Sequence, residues 1–333
     1  MDDLTSTDSR DDRQLESVCH GVIVLRRDEL AYGAERRHMS IRKIRGSSFL
    51  GGQHDYVIET GGITVFPRIV PREQHRDFVR EPVSCGIEGM DILLGGGLDR
   101  GTSNLFMGPS GTGKSSLAIT YAHFAAARGE RVALFTFDEN LDLYLAKASA
   151  FGLDFRRFIQ EGVLRAQQVD PAELSPGQFA RLLLNFVERE NVRMVIIDSL
   201  NGYSKAMQDD KILDLQLHEM LTYLGQLGVV TIMVLAQSGF LNEFRSPVDL
   251  TYLADTVIIL RHFEVRGAIR QAISVAKKRS GRHESTIREF KVTAKGLWVG
   301  EPLLQFRGVL TGVPVLESEP GVQEKQETES SDH

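Results

Sequence analysis

Short runs rich in Val, Ile, Leu and Phe recur along the chain at residues 102–107 (TSNLFM), 131–137 (RVALFTF), 192–197 (VRMVII) and 229–235 (VVTIMVL). They have the length of strands, and their apolar residues are adjacent rather than alternating, the pattern of strands covered on both faces. Helical stretches fall between them. Ser115 to Arg128 is Ala-rich and closed by Gly129, while residues 175–190 open on the cap and first-turn pair Ser175-Pro176. Residues 211–227 carry Ile212, Leu215, Glu219 and Tyr223 on successive turns. Strands alternating with helices predict an α/β domain with a mostly parallel sheet and helices on both faces. Beyond residue 255 the chain turns strand-rich, which predicts a C-terminal antiparallel extension.

The first of these strands feeds residues 108–115 (GPSGTGKS), a full match to G-x-x-x-x-G-K-[ST]. Strand, Gly-rich loop and helix are the setting that a phosphate-binding loop needs. Gly108, Gly111 and Gly113 let successive N–H groups point at phosphate oxygens at the positive end of the following helix. Lys114 is spaced to reach β- and γ-phosphates, and the Ser115 hydroxyl to join Mg2+. The loop set is thus Gly108, Ser110, Gly111, Thr112, Gly113, Lys114, Ser115 and Ser116, with a nucleoside triphosphate as ligand.

The strand at 192–197 ends in Asp198, the partner expected to hold Mg2+ through water. The strand at 131–137 runs into Asp138, Glu139 and Asn140, where two readings stand. The polar residues start the next helix, with Asn140 as its cap, or a carboxylate orients the attacking water. Adjacent strand side chains point to opposite faces, so both readings can hold for different residues. Gln237, leaving the strand at 229–235, either senses a γ-phosphate or merely begins a loop.

Compared with itself, the chain contains a repeat. Val22 to Arg26 (VIVLR) resembles Val257 to Arg261 (VIILR), Ser40 to Arg45 pairs with Ser274 to Arg279, His54 with His283 across a five-residue insertion, and Gly62-Ile63 with Gly296-Leu297. The later copy follows a complete nucleotide-binding core. Residues 17–70 therefore read as the end of a first module whose phosphate loop is absent from this sequence. Lys43 and Arg45, like Lys277 and Arg279, alternate along a strand and so share a face. Such a pair reaches a phosphate on a neighbouring subunit or guards a solvated edge strand, and spacing alone favours the guard.

Composition narrows the classes. The 333 residues are 42% hydrophobic and 25% charged, an ordinary globular balance. Two cysteines exclude a disulfide framework and suggest a reducing, cytoplasmic setting. The longest apolar stretch, residues 228–236, is about half of what spans a bilayer, and the acidic amino terminus lacks the order of a secretion signal. Residues 1–16 and 313–333 carry −4 and −5 of the formal −6, leaving residues 17–312 at +3. Both ends read as disordered acidic tails, with a linker at 71–81 and an ATPase domain at 82–312.

The run from Ser84 to Gly101 (SCGIEGMDILLGGGLDRG) ahead of the phosphate loop closely resembles the entry to RecA-like ATPase modules of the KaiC family. So do residues 253–260 (LADTVIIL), 264–267 (EVRG), Lys277 to Arg279 and 286–290 (TIREF). The resemblance spans 82–314, with 20–70 matching the end of a preceding module. It implies a RecA-like P-loop fold, ATP and Mg2+ as cofactors, and ATP hydrolysis by Asp138, Glu139 and Lys114. It further implies a homo-oligomer, a hexameric ring in which Lys277 and Arg279 contact a neighbour's ATP, and a signalling role with a histidine kinase or response regulator as candidate partner. The family carries Glu-Glu where Asp138-Glu139 stand here. A carboxylate shortened by about 1 Å can cost on the order of 10²-fold in rate, which shifts the catalytic weight to Glu139. The family's Ser-Thr phosphorylation pair falls on Thr251-Tyr252, so an autokinase would use Thr251.

Two other classes compete. A non-enzymatic assembly subunit fits the absent first core. A DNA-dependent ATPase fits the fold, but residues 202–211 balance two lysines with two aspartates and 239–250 set one arginine against two acids. Neither loop offers the basic surface that phosphate backbones require.

Overall fold

The computed structural model describes residues 16–29, 33–71, 77–205, 210–237, 250–311 and 314–316. Most of both acidic tails, part of the linker and the segment 238–249 lie outside the described residues.

The chain opens with four strands, β1 (Gly21–Asp28), β2 (Arg36–Ile44), β3 (Gln53–Glu59) and β4 (Gly62–Phe66), which form an antiparallel sheet in that order. A two-strand clasp, β5 (Pro82–Val83) with β6 (Leu98–Asp99), brackets helix α1 (Glu88–Leu94). The αβ core follows as β7 (Ser103–Pro109), α2 (Lys114–Ala127), β8 (Val132–Thr136), α3 (Leu141–Ala150), α4 (Phe155–Gln160), β9 (Leu164–Gln168), α5 (Pro176–Glu190), β10 (Met194–Asp198), α6 (Leu200–Lys205), α7 (Asp210–Gln226) and β11 (Val230–Gln237). The extension is β12 (Thr256–Val265), β13 (Ala268–Lys278), β14 (Ile287–Thr293) and β15 (Gly296–Pro302).

These strands make one nine-stranded sheet in the order β15-β14-β13-β12-β7-β11-β10-β8-β9. The run from β12 to β9 is parallel, and β12 to β15 are antiparallel. Adjacent residues of the central strands enter different cores: Phe106, Leu134, Ile196 and Ile232 pack against α2, while Leu105, Phe135, Ile197 and Met233 pack against α5 and α7. Two-sided burial is why these strands read as solid apolar runs. Ser175 caps the helix with Pro176 in its first turn, as the sequence predicted, and Gln178 completes a capping box that the sequence reading did not single out. No described helix is long and apolar enough to cross a membrane.

The repeat has a structural counterpart. Val22 faces Lys43 and Ile23 faces Ile41, with an irregularity between them, as Val257 faces Lys277 and Ile258 faces Val275. Ser40 pairs with Gln53 as Ser274 pairs with Ile287, and Glu59 with Gly62 as Thr293 with Gly296. The likeness extends to side-chain hydrogen bonds. Lys43 Nζ donates to Glu16 O (2.8 Å) and Arg45 Nη2 to Ser17 O (2.9 Å), as Lys277 Nζ donates to Thr251 O (2.9 Å) and Arg279 Nη2 to Tyr252 O (3.0 Å). One alignment changes: the constant register sets Arg288, rather than His283, opposite His54 in the repeat, and no insertion separates the strands there.

Candidate functional site

The phosphate loop leaves β7 at Gly108, whose φ of 151° and close approach to Leu260 O, where a Cβ would come within 2.0 Å, admit no side chain. Thr112 Oγ1 closes the turn on Pro109 O at 2.9 Å. Lys114 Nζ donates to Gly108 O (2.8 Å) and Pro109 O (2.6 Å). Burial lowers its pKa to about 8, with the charge of Asp198 opposing the shift.

Two residues that the sequence did not single out hold this loop from the side. His262 Nε2 donates to Ser110 O at 3.3 Å, and Gln271 Nε2 donates to Gly111 O at 3.1 Å. They face each other across the β12–β13 hairpin. The only trace in the sequence is a polar residue within each apolar strand, and its meaning depends on the hairpin register.

Asp198 ends β10 and is buried. Burial raises its pKa, with Glu139 acting in the same direction, while Ser115, Tyr144 and Lys114 act to lower it. Its Oδ2 is buried without a hydrogen-bond partner among the described residues. A buried acceptor beside the Ser115 hydroxyl suits a hydrated divalent cation, so these residues fit Mg2+. The Asp198–Ser199 peptide is cis, and the Ser199 hydroxyl donates to Asp138 Oδ2.

The strand leading to Asp138 ends at Thr136, and residues 137–139 form a bend. Strand alternation therefore does not separate the two acids. Both line the same cavity. Asn140 takes the capping role, its Oδ1 accepting from the Asp142 amide at 2.8 Å. Glu139 Oε1 lies 2.5 Å from Lys147 Nζ.

The cavity holds about 510 Å³ and is lined by Ser110, Gly111, Gly113, Lys114, Ser115 and Ser116 together with Asp138, Glu139 and Asp198. Thr112 and Gly108 shape the loop from behind. Gln237 is buried opposite Pro109 in the β11–β7 register, and the cavity wall is formed by its neighbour Ala236. Lys277, Arg279 and Thr251 do not line this cavity. They form a second cluster at the start of β12, where both cations donate to the 251–254 backbone.

The family described as ATPase: KaiC matches residues 2–69 and 83–303. The chain belongs to the KaiC family of ATPases. Among curated KaiC proteins, the circadian clock oscillator protein KaiC of Synechococcus elongatus is 27% identical over 301 residues, covering 90% of this chain and 57% of that protein. The circadian clock protein KaiC3 of Synechocystis sp. is 26% identical over 314 residues, covering 92% of this chain and 61% of that protein. The chain thus spans less than two thirds of the length of these relatives. The P-loop fold is the RecA-like one that the family shares.

Proposed function

We propose that this chain binds ATP with Mg2+ in the cavity at the ends of β7, β8 and β10 and hydrolyses it. The convergence of Lys114, Ser115, Asp198, Asp138 and Glu139 on one cavity carries the reading. The loop amides hold the phosphate oxygens, and Lys114 exchanges its carbonyl partners for the β- and γ-phosphates. Ser115 and Asp198 would hold Mg2+, which would supply charge to neutralise the phosphates. Glu139 orients the attacking water, its carboxylate tethered by Lys147 at the cavity wall. Asp138, shorter and engaged by Ser199, assists.

Lys277 and Arg279 serve a neighbouring subunit's ATP in a ring, and Thr251 beside them is the phosphoacceptor of an autokinase. Their clustering away from the chain's own cavity supports a role in trans. Residues 17–70 are the end of a preceding module, a reading supported by the matched registers and hydrogen bonds of the two copies. The engagement of Asp138 by Ser199 favours one alternative, an ATP-dependent assembly switch without turnover.

Binding of a fluorescent ATP analogue, with and without Mg2+, tests the site, and mass photometry under the same conditions tests assembly. Mg2+-dependent binding lost in Lys114→Ala and ATP-dependent oligomers are the expected results. Equal binding by wild type and Lys114→Ala would remove the cavity as the nucleotide site.

A further inference from the structure

Tyr144 lies in the first turn of α3, and none of it is exposed. Its hydroxyl is buried without a hydrogen bond of full geometry among the described residues, and so is Oδ2 of Asp198. The two groups are neighbours: the phenol meets the Asp198 carboxylate within hydrogen-bonding reach, with the charge of Glu139 close by. A phenol hydroxyl so placed serves as a donor toward carboxylate oxygen. Native proteins rarely leave such atoms unsatisfied, and a shared water joining a donor to an acceptor is the usual remedy.

A buried orphan hydroxyl is not by itself informative. Tyr121 has one too, beside Cys85 and Asp91 and away from the cavity. What sets Tyr144 apart is that its orphan faces the aspartate of the nucleotide cavity. Polar groups behind a metal-holding carboxylate fix its orientation and its ionised form, and removing them typically costs about 10–100-fold in metal affinity.

We propose that Tyr144 is a positioning residue for the divalent cation: its hydroxyl donates to Asp198, directly or through one water, and holds that carboxylate ready for Mg2+. The proposal rests on the reading of Asp198 as the Mg2+ residue.

The test is a Mg2+ titration of fluorescent ATP-analogue binding to the full chain, read as the Mg2+ concentration at half-saturation. Tyr144→Phe removes one oxygen, and thermal unfolding checks that the variant is folded. The midpoint is expected to rise about tenfold or more, with binding in EDTA unchanged. Tyr121→Phe, losing an equally buried hydroxyl, is expected to keep the wild-type midpoint. Asp198→Asn is expected to raise the midpoint, and adding Tyr144→Phe to it to raise it little further. A midpoint within twofold of wild type for Tyr144→Phe, while Asp198→Asn shifts, overturns the role of Tyr144 alone. No shift in either variant overturns the reading of Asp198 and the proposal with it. A shift in Tyr144→Phe matched by an equal loss of binding in EDTA marks a packing defect and also overturns the proposal.

Discussion

Asp55 of β3 accepts a hydrogen bond from the Gly177 amide at 2.8 Å, so a carboxylate of the N-terminal sheet satisfies the first turn of α5. Two residues further along, Phe179 packs edge-on against Phe137 at 5.3 Å, one residue before Asp138. The sheet therefore braces the helix that backs the acidic bend of the cavity. Asp55→Ala leaves the half-buried amide without its acceptor and is expected to destabilise the chain by about 1–3 kcal/mol in denaturant unfolding. An unchanged midpoint would show that the contact contributes nothing.

The same contact carries a pH dependence. The Asp55 hydrogen bond is the main cause of a raised His38 pKa, with the charges of Asp55 and Asp28 adding to it, while burial and Arg36 oppose. Burial works to raise the Asp55 pKa, but hydrogen bonds from His38, Ser175 and Gly177 outweigh it and leave the carboxyl below its ordinary value. The histidine's contribution is complete below its unfolded value of 6.5 and is lost as pH rises through the raised folded value. The aspartate's is complete above 3.8 and is lost as pH falls through the lowered one. Both are complete between 3.8 and 6.5. The melting difference between wild type and His38→Gln should thus be largest near pH 5–6 and shrink on going to pH 9.

Lys114 gives the nucleotide site its own pH dependence. With its pKa lowered to about 8, the ammonium that phosphates require is largely present at pH 7. At pH 9 about nine tenths of it is neutral, so ATP-analogue affinity should weaken by about tenfold between pH 7 and 9. In Lys114→Ala the affinity should be low and flat across that range.

The two copies of the repeat face different surroundings. Ile258 and Leu260 are fully buried against the core of α1 and α2, whereas their counterparts Ile23 and Leu25 are 57% and 52% exposed. Ile258→Ala and Leu260→Ala should each cost about 2–5 kcal/mol. Ile23→Ala and Leu25→Ala should each stay within about 0.5 kcal/mol. Equal costs would mean that the face of the N-terminal sheet is covered in solution.

Much of this was legible in the sequence because it rests on local chemistry. The phosphate loop needs its glycines, Lys114 and Ser115 in fixed order, the apolar run of β10 stops at Asp198, and Ser175-Pro176 marks a helix start. The repeat was visible because paired strands reuse side chains at matching positions. What stayed hidden depends on register or tertiary contact. The His262–Gln271 grip exists only once the hairpin is aligned. The shared cavity of Asp138 and Glu139 follows from β8 stopping at Thr136, which no residue type marks. Asp55 reaches α5 across more than a hundred residues of chain, and Tyr144 looks like any core aromatic until α3 packs it against Asp198.

The most direct test of the account is Mg2+-dependent phosphate release from ATP by the full chain, with Lys114→Ala and Glu139→Gln alongside. Release by wild type, abolished in Lys114→Ala and reduced at least about 100-fold in Glu139→Gln with ATP binding retained, is the predicted result. Wild-type release no faster than Lys114→Ala, with ATP still bound, would contradict hydrolysis and leave the chain as an ATP-dependent switch.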